Sequence, residues 1–485
     1  MKYIFLIFLP LIIICFFSNN NVKAQWVLAD TITNYKSTDY ITTPNSIAID
    51  NENTIHIVWQ KKDVETNENS WRIYYAKKPA NGNWSHPIPI SDTLYRSGYA
   101  SIAVNEKIQK IFITYVKVYD NFRSEIVLAI QNSNLSWQKI NIVNDSLQNS
   151  QPTISIDNDN IVHITWLGMD SLYIHQIKYC NYNNKIWKVN TLEDNFFGDL
   201  YYATPSLSIS PKGCINILYL NVINGKPRNV HAKICTDKWE YELLNESINA
   251  QGILKISKSG RFNYIYNFTK DFQFPFKVYY TYKDNEDWTE PELISNNFDG
   301  YCTSYDVDNN NKIHMMLDSL VWAFKAGTIY YATNKSGIWN ISKVSQESNM
   351  YFSSFKLNKN GIGHVIASYE EYPNPTDLFH FESQDNLISI NNNFTNYIDS
   401  YNLFQNYPNP FNSSTIIKFE LPVSQFVEIK VFDNLGKLVS KLANKVFPYG
   451  INNVNFVSSD LPSGVYFYSI NTKNFSTTKK LIILK

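Results

Sequence analysis

Ile47–Trp59 reads I-A-I-D-N-E-N-T-I-H-I-V-W: two short alternating apolar runs joined by a polar turn, the pattern of a β-hairpin. The pattern returns six more times before the chain changes character near residue 400. Aligned on the first run, the copies place Ile49, Val104, Ile156, Ile209, Ile256, Val307 and Leu357 at one position, at intervals of 55, 52, 53, 47, 51 and 50 residues. The turn that follows is polar, as in Asp50-Asn51-Glu52-Asn53, Asp157-Asn158-Asp159-Asn160, Ser257-Lys258-Ser259-Gly260 and Asn358-Lys359-Asn360-Gly361. Such residues tolerate positive φ or bond their own backbone. The second copy, with Asn105–Lys110, is one residue longer.

A second marker keeps the same period. Each unit continues as strand, polar turn, Trp, strand, and that Trp recurs as Trp84, Trp137, Trp187, Trp239, Trp288 and Trp339, at intervals of 53, 50, 52, 49 and 51 residues. Four strands per unit of about fifty residues, with no helical periodicity between them, fit a propeller blade. The expected fold is all-β: a seven-bladed β-propeller over residues 25–395, followed by a small Ig-like β-sandwich. The Trp is expected to pack over the blade edge. The seventh unit lacks it. Trp26-Val27-Leu28 resembles the stretch that follows Trp84, and a propeller must close to hide its sheet edges. The strand near Trp26 is therefore expected to complete the last blade, with Leu387–Ile390 as the competing strand.

Lys+Arg and Asp+Glu are both 43 among 485 residues, so no charge excess points to nucleic acid. Lys2 followed by the apolar Ile4–Phe17 reads as a signal peptide over residues 1–24, too short to span a membrane as a helix. Val22-Lys23-Ala24 offers a cleavage site between Ala24 and Gln25. Ile14 before Cys15 argues against lipidation. Cys180, Cys214, Cys235 and Cys302 show no CxxC spacing. Buried thiols are the simpler reading, with one or two disulfides left open for an exported protein.

His56, His163, His314 and His364 occupy one equivalent place, where two other units carry Asn216 and Asn263. A metal ring would need these sites to converge, and Asn is a poor zinc ligand. A buried structural hydrogen bond is expected instead. No catalytic residue, metal ligand or cofactor is assigned.

The last ninety residues carry a different pattern. Tyr407-Pro408-Asn409-Pro410-Phe411 opens it, Gly436-Lys437 marks a turn, Leu461-Pro462-Ser463-Gly464-Val465-Tyr466 enters a strand, and Lys479-Lys480 begins a basic tail. These motifs, in this order, resemble the type A C-terminal sorting domain of the type IX secretion system of Bacteroidota. The resemblance implies a linker at 396–406, a sorting domain at 407–485, contact with the type IX machinery, and a secreted or surface-attached protein. The repeat unit, with I-Y-Y-A before a turn and Trp, resembles sialidase-like (BNR, Asp-box) propellers in degenerate form. Sialidases of that kind clamp substrate with three arginines. This chain has only Arg72, Arg96, Arg123, Arg228 and Arg261, and no F-R-I-P motif.

The function expected is therefore glycan or protein binding by an exported propeller rather than catalysis. A divergent sialidase-like exo-glycosidase or a propeller lyase is the alternative. Ligand-specific residues are expected in the variable connections Asp63–Ser70, Val118–Phe122 and Phe268–Pro275.

Overall fold

The computed structural model describes residues 26–388 and 401–485, apart from the segments 34–36, 64–70, 120–122, 144–147, 170–173, 184–185, 197–203, 224–225, 245–248, 269–275, 285–286, 296–299, 320–326, 346, 371–375, 422–424, 448–449, 459–460 and 474. Among the described residues there are strands and turns and no helix. The signal peptide and its Ala24–Gln25 cleavage site lie outside them, as does most of each of the three variable connections.

Seven antiparallel sheets precede residue 390. Sheets 1 to 6 span residues 37–89, 96–141, 148–196, 206–244, 249–293 and 300–343, with their strands hydrogen-bonded in chain order. In sheet 1 the first strand is split into Ser37–Tyr40 and Ile47–Ile49, both paired with Ile55–Asp63. Sheet 7 takes three strands from residues 350–383, and its fourth is the N-terminal strand Trp26–Thr31. That strand pairs Trp26 with Ser383 and Thr31 with Phe379. Leu387, the first residue of the competing Leu387–Ile390, donates its N–H to Gly361 O at 2.7 Å and is buried, and residues 389–390 lie outside the described residues.

The dense apolar runs of the middle strands follow from burial on both faces. Apolar clusters lie between consecutive sheets. One contains Val58, Ile73 and Tyr75 of sheet 1 with Ile102 and Ile113 of sheet 2, and the next joins sheets 2 and 3 through Leu128 and Ile164. A further cluster joins Ile57, Trp59 and Ala76 of sheet 1 to Ile366 and Leu378 of sheet 7. Contacts therefore run from sheet to sheet and from the last back to the first.

Short polar side chains on the first strands repeat that succession. Thr43 Oγ1 donates to Ala100 O (2.5 Å), Thr153 Oγ1 to Pro205 O (2.8 Å), Ser206 Oγ to Leu254 O (3.0 Å) and Ser304 Oγ to Ser353 O (3.4 Å). Lys255 Nζ takes the same part toward Tyr305 O. Ser354 Oγ donates to Pro44 O at 2.6 Å across 310 positions of chain.

Cys214 and Cys235 form a disulfide across the second and third strands of sheet 4, and Cys180 and Cys302 are buried thiols. The buried-thiol reading thus holds for two of the four cysteines and fails for the other two. They sit just beyond the cross-strand pair Ile215–Ile234, which brings together cysteines 21 positions apart.

After residue 400, three strands form one antiparallel sheet and four form another, around a single apolar core that includes Leu403, Phe411, Ile429 and Tyr468. Asn402–Leu403, inside the stretch read as linker, already pairs with Glu420 and Phe419. Tyr401 stacks on Phe475 at 5.1 Å. Residues 401–403 of that stretch thus pack with the C-terminal sheets.

Candidate functional site

The repeated hairpin carries a repeated relay. In sheet 1 one oxygen of Asp50 accepts from the N–H groups of Glu52 and Thr54 at 2.8 Å, while the other faces His56 Nε2 at 3.3 Å. The opposite ring nitrogen of His56 meets Tyr75 OH at 2.8 Å. The carboxylate fixes the tautomer: Nε2–H donates to Asp50 and Nδ1 accepts from the phenol. Sheet 3 repeats this with Asp157, His163 and Tyr179. In sheet 5 Tyr280 OH donates to Asn263 at 2.9 Å, and in sheet 4 Asn216 takes His231 at 3.0 Å. The fourth turn residue is left-handed, with φ of 59° at Asn53, 67° at Asn160 and 92° at Gly260, except in sheet 2, where the longer turn moves this conformation to the fifth residue, Gln109. His56 and Asp50 are thus parts of the hairpin. Burial lowers the imidazole pKa of His56 and His163, so both favour the neutral form such a bond requires.

The recurring Trp packs on the preceding sheet. Trp137 meets Tyr75 edge to face at 5.3 Å, Trp239 meets Tyr179 at 5.3 Å and Trp339 meets Tyr280 at 5.4 Å. Trp288 packs on Tyr264 of its own sheet and donates to Glu242 of sheet 4 at 2.9 Å. Trp84 reaches His380 of sheet 7, and Trp26 takes the missing place by packing on Tyr331 of sheet 6 at 5.2 Å. The Trp187 side chain lies outside the described residues.

Sheet 7 writes the relay as Asn358, His364 and His380. Asn358 Nδ2 is 3.2 Å from His364 Nε2, His364 Nδ1 is 3.2 Å from His380 Nε2, and His380 Nδ1 is 3.4 Å from Asp30 Oδ2. Each ring then donates through Nδ1 and accepts through Nε2, ending on Asp30. His364, His380 and Glu382 are also spaced closely enough to hold a metal ion. The nitrogens that would bind it point at each other and share one proton, so the residues fit the hydrogen-bonded chain better than a metal.

A different feature appears where the first strands begin. There each of several first strands carries a β-bulge: between Gly98 and Ser101, Ser150 and Thr153, Asn249 and Gly252, Cys302 and Ser304, and Tyr351 and Ser354. In three of them the bulged residue is left-handed without being glycine: Tyr99, Gln151 and Phe352 all have φ of 52°. Bulky residues avoid this region, and bulges of this kind re-aim a side chain. Tyr99 is 37% exposed and Phe352 is 38% exposed. Buried Asp318 of sheet 6 holds the Phe352 bulge, accepting from Ser353 N at 3.1 Å, Ser353 Oγ at 2.5 Å and Thr303 Oγ1 at 3.3 Å. Burial pushes its carboxyl up to about 6.

From Phe352 a belt of rings crosses sheets 7, 1 and 2. Phe352 meets Tyr351 at 5.0 Å, Tyr351 meets Tyr40 at 6.0 Å, and Tyr40 meets Trp71 at 5.7 Å. Trp71 O accepts from Ser97 N at 2.9 Å, which ties this end of sheet 1 to sheet 2. There Tyr95 meets Tyr119 at 4.6 Å, with Lys117 Nζ over both rings and Arg123 over Tyr119. Pro44, Thr153, Ser206, Lys255 and Ser304, from five different sheets, line a cavity of about 30 Å³, room for a water. Burial holds the Lys255 amine at about 8.

The five arginines do not gather. Arg261 is held bidentately by Asp284 at 2.7 Å on a turn of sheet 5, and Arg228 lies in the third strand of sheet 4. Arg72, Arg96 and Arg123 do share one end of sheets 1 and 2, beside the belt. Tyr119 OH donates to Glu125 there at 2.6 Å, and partial burial followed by the Glu125 bond raises its pKa, the opposite of an activated nucleophile.

Two of the C-terminal motifs meet. Phe411 is buried, donates to Ile482 O at 3.0 Å and bridges Ile483, while Asn409 Oδ1 accepts from Ile482 N at 2.8 Å. The opening motif thus lies against the strand that carries Lys479 and Lys480. Gly436 takes φ of 80° in a turn capped by Asp433, and Tyr466 OH donates to Pro462 O at 3.0 Å. Tyr407 is 82% exposed.

Residues 405–484 match the family described as the secretion system C-terminal sorting domain. This is the type IX sorting domain, and the chain is secreted through that system to the cell surface or extracellular space. Among the described residues no helix is long and apolar enough to cross a membrane. No curated protein matches the chain. Similar solved structures include a protein of unknown function from Dyadobacter fermentans, at 10% identity and a TM-score of 0.45 over 74% of this chain and 98% of that one. Polysaccharide lyase Uly1 is similar at 9% identity and a TM-score of 0.48, over 71% and 90%. Hadza microbial sialidase Hz136 is similar at 11% identity and a TM-score of 0.43, over 58% and 63%.

Proposed function

We propose that the chain is an exported seven-bladed β-propeller that binds a glycan at the end of sheets 7, 1 and 2 where their first strands begin, carried by a C-terminal Ig-like sorting sandwich. In this reading residues 1–24 are removed before Gln25, the seven sheets are the blades, and the sorting unit starts near Tyr401. The contacts from each sheet to the next, and from sheet 7 to sheet 1, support the blade count.

The single observation that carries the binding role is the ring belt from Phe352 to Tyr119, part of it held up by strained backbone. Tyr and Trp offer flat apolar faces with a polar tip, suited to the apolar faces of sugar rings and their hydroxyls. Strain in a bulge persists only where the surrounding structure enforces it, and it clusters at binding sites. The raised Tyr119 pKa, the opposite of what an activated nucleophile needs, favours binding over the glycosidase alternative. A screen of the secreted chain against a panel of glycans and polysaccharides tests the reading. Binding without release of reducing sugar is expected. Sugar release would select the glycosidase, and new unsaturated ends would select the lyase. No binding to any glycan would contradict the proposal.

A further inference from the structure

Cations interleave the rings of this belt. Lys62 Nζ lies over Trp71 at 5.9 Å, Lys61 Nζ over Tyr74 at 5.1 Å, and Lys117 and Arg123 over the Tyr95–Tyr119 pair. Arg72 pairs across the sheet with Lys61 beside Trp71, and exposed Arg96 precedes Ser97, whose N–H bonds Trp71 O. Neither Arg72 nor Arg96 has a carboxylate partner among the described residues. Three carboxylates at this end are engaged, and a fourth, Glu370, lies close enough to act on Tyr351 at the sheet 7 side of the belt. Asp92 holds Lys117 at 3.3 Å, Glu125 holds Tyr119 and Arg123, and buried Asp39 accepts from Trp59 Nε1 at 2.6 Å. Asp63, Glu65 and Glu68 belong to the adjoining connection, whose side chains lie outside the described residues.

We propose that the belt binds an acidic polysaccharide, its sugar rings on the Tyr and Trp faces and its carboxylate or sulfate groups on Arg72, Arg96 and Arg123. The inference rests on the glycan reading above and names the ligand class. Guanidinium groups suit both anions, because the planar fork donates two parallel hydrogen bonds to either. The arrangement also separates a polymer from a single terminal acid. The cations are spread along the belt over two sheets, so they match a ligand charged repeatedly along its length.

The test is affinity electrophoresis of the full secreted chain in gels containing polygalacturonate, dextran sulfate or neutral dextran, at about 0.05 M and about 0.5 M NaCl to vary screening. The variants are Arg72→Gln with Arg96→Gln, Trp71→Ala, and Lys212→Gln with Lys258→Gln as a charge control on exposed turns at the opposite end of sheets 4 and 5. The expected result is retardation by at least one polyanion, weakened by salt and by roughly tenfold in the arginine pair, the loss of one or two charge-assisted bonds. Melting temperature should be unchanged in that pair, and Trp71→Ala should also weaken binding. Retardation by polygalacturonate alone assigns a carboxylate ligand, and by dextran sulfate alone a sulfate ligand. Equal binding to neutral dextran, or equal loss in the lysine control, would overturn the acidic assignment and leave glycan binding standing. No retardation by any polymer would count against the glycan reading itself.

Discussion

The indole of Trp84 in sheet 1 meets the imidazole of His380 in sheet 7 edge to face, with ring centroids 5.5 Å apart. Both reach the same carboxylate: Trp84 Nε1 donates to Asp30 at 3.1 Å and His380 Nδ1 at 3.4 Å, while Lys78 pairs with it at 2.6 Å. Asp30 sits on the N-terminal strand, so one residue joins the start of the chain, its first sheet and its last. Trp84→Ala should cost about 2–3 kcal/mol, less than a fully buried Trp because the indole is only partly buried. Asp30→Ala should cost about 1–3 kcal/mol by leaving three donors without their acceptor. Denaturant titration of both variants checks this, and unchanged midpoints would rule out a closing role for Asp30.

The same corner sets a pH dependence. Burial, with His380 and Lys78 nearby, holds His364 at about 3 against 6.5 when exposed. Between those values the unfolded chain binds the extra proton, so the contribution of His364 to stability is full above pH 6.5 and is lost as pH falls toward 3. Asp30 adds to the same trend lower down. The His380 bond, then Lys78, hold it at about 2, so its contribution is lost from about pH 3.8 to 2. His364→Asn, the residue type that sheets 4 and 5 use, should remove the first effect. Wild type should lose stability relative to the variant by up to about 1.36 kcal/mol per pH unit below 6.5. A gap that stays constant from pH 7 to pH 4 would contradict the assignment.

The four described cysteines should separate into two classes. Cys180 and Cys302 are buried, and burial raises both thiol pKa values, so alkylation should require unfolding but no reductant. Cys214 and Cys235 should require reductant as well. Intact mass after each treatment counts the labels. Four labels without reductant would mean the cross-strand disulfide is absent.

Secretion separates two residues of one motif. Phe411 is buried in the sorting core, whereas Tyr407 is exposed. Phe411→Ala should destabilise the domain by about 3–5 kcal/mol. Tyr407→Ala should leave its melting unchanged. Removing residues 401–485 should abolish appearance outside the cell. If Tyr407→Ala also lowers export, the exposed ring is read by the machinery; full export would limit the motif to folding.

The repeat was legible because two markers, the hairpin and the Trp, keep one period, and each has a packing reason. Trp26 could be matched to the missing Trp for the same cause. The role of His56 was legible once Asn216 and Asn263 stood beside it. The binding belt was not. A bulge adds one residue to a strand without any fixed residue type, so Tyr99, Gln151 and Phe352 carry no signal of positive φ. The belt also draws Tyr40, Trp71, Tyr119 and Tyr351 from three sheets, and only ring closure brings sheet 7 beside sheet 1. Cys214 and Cys235 escaped detection for a related reason, since strand register rather than spacing pairs them.

Binding by the aromatic belt is the central claim, and the most direct measurement compares the wild-type secreted chain with the Trp71→Ala, Phe352→Ala double variant by isothermal titration with whichever polysaccharide the screen selects. Loss of the two rings should weaken binding roughly a hundredfold, at about 1–1.5 kcal/mol for each ring removed. The melting temperature should fall little, because both rings are partly exposed. Undiminished affinity in a folded double variant would place the ligand elsewhere on the molecule and contradict the account.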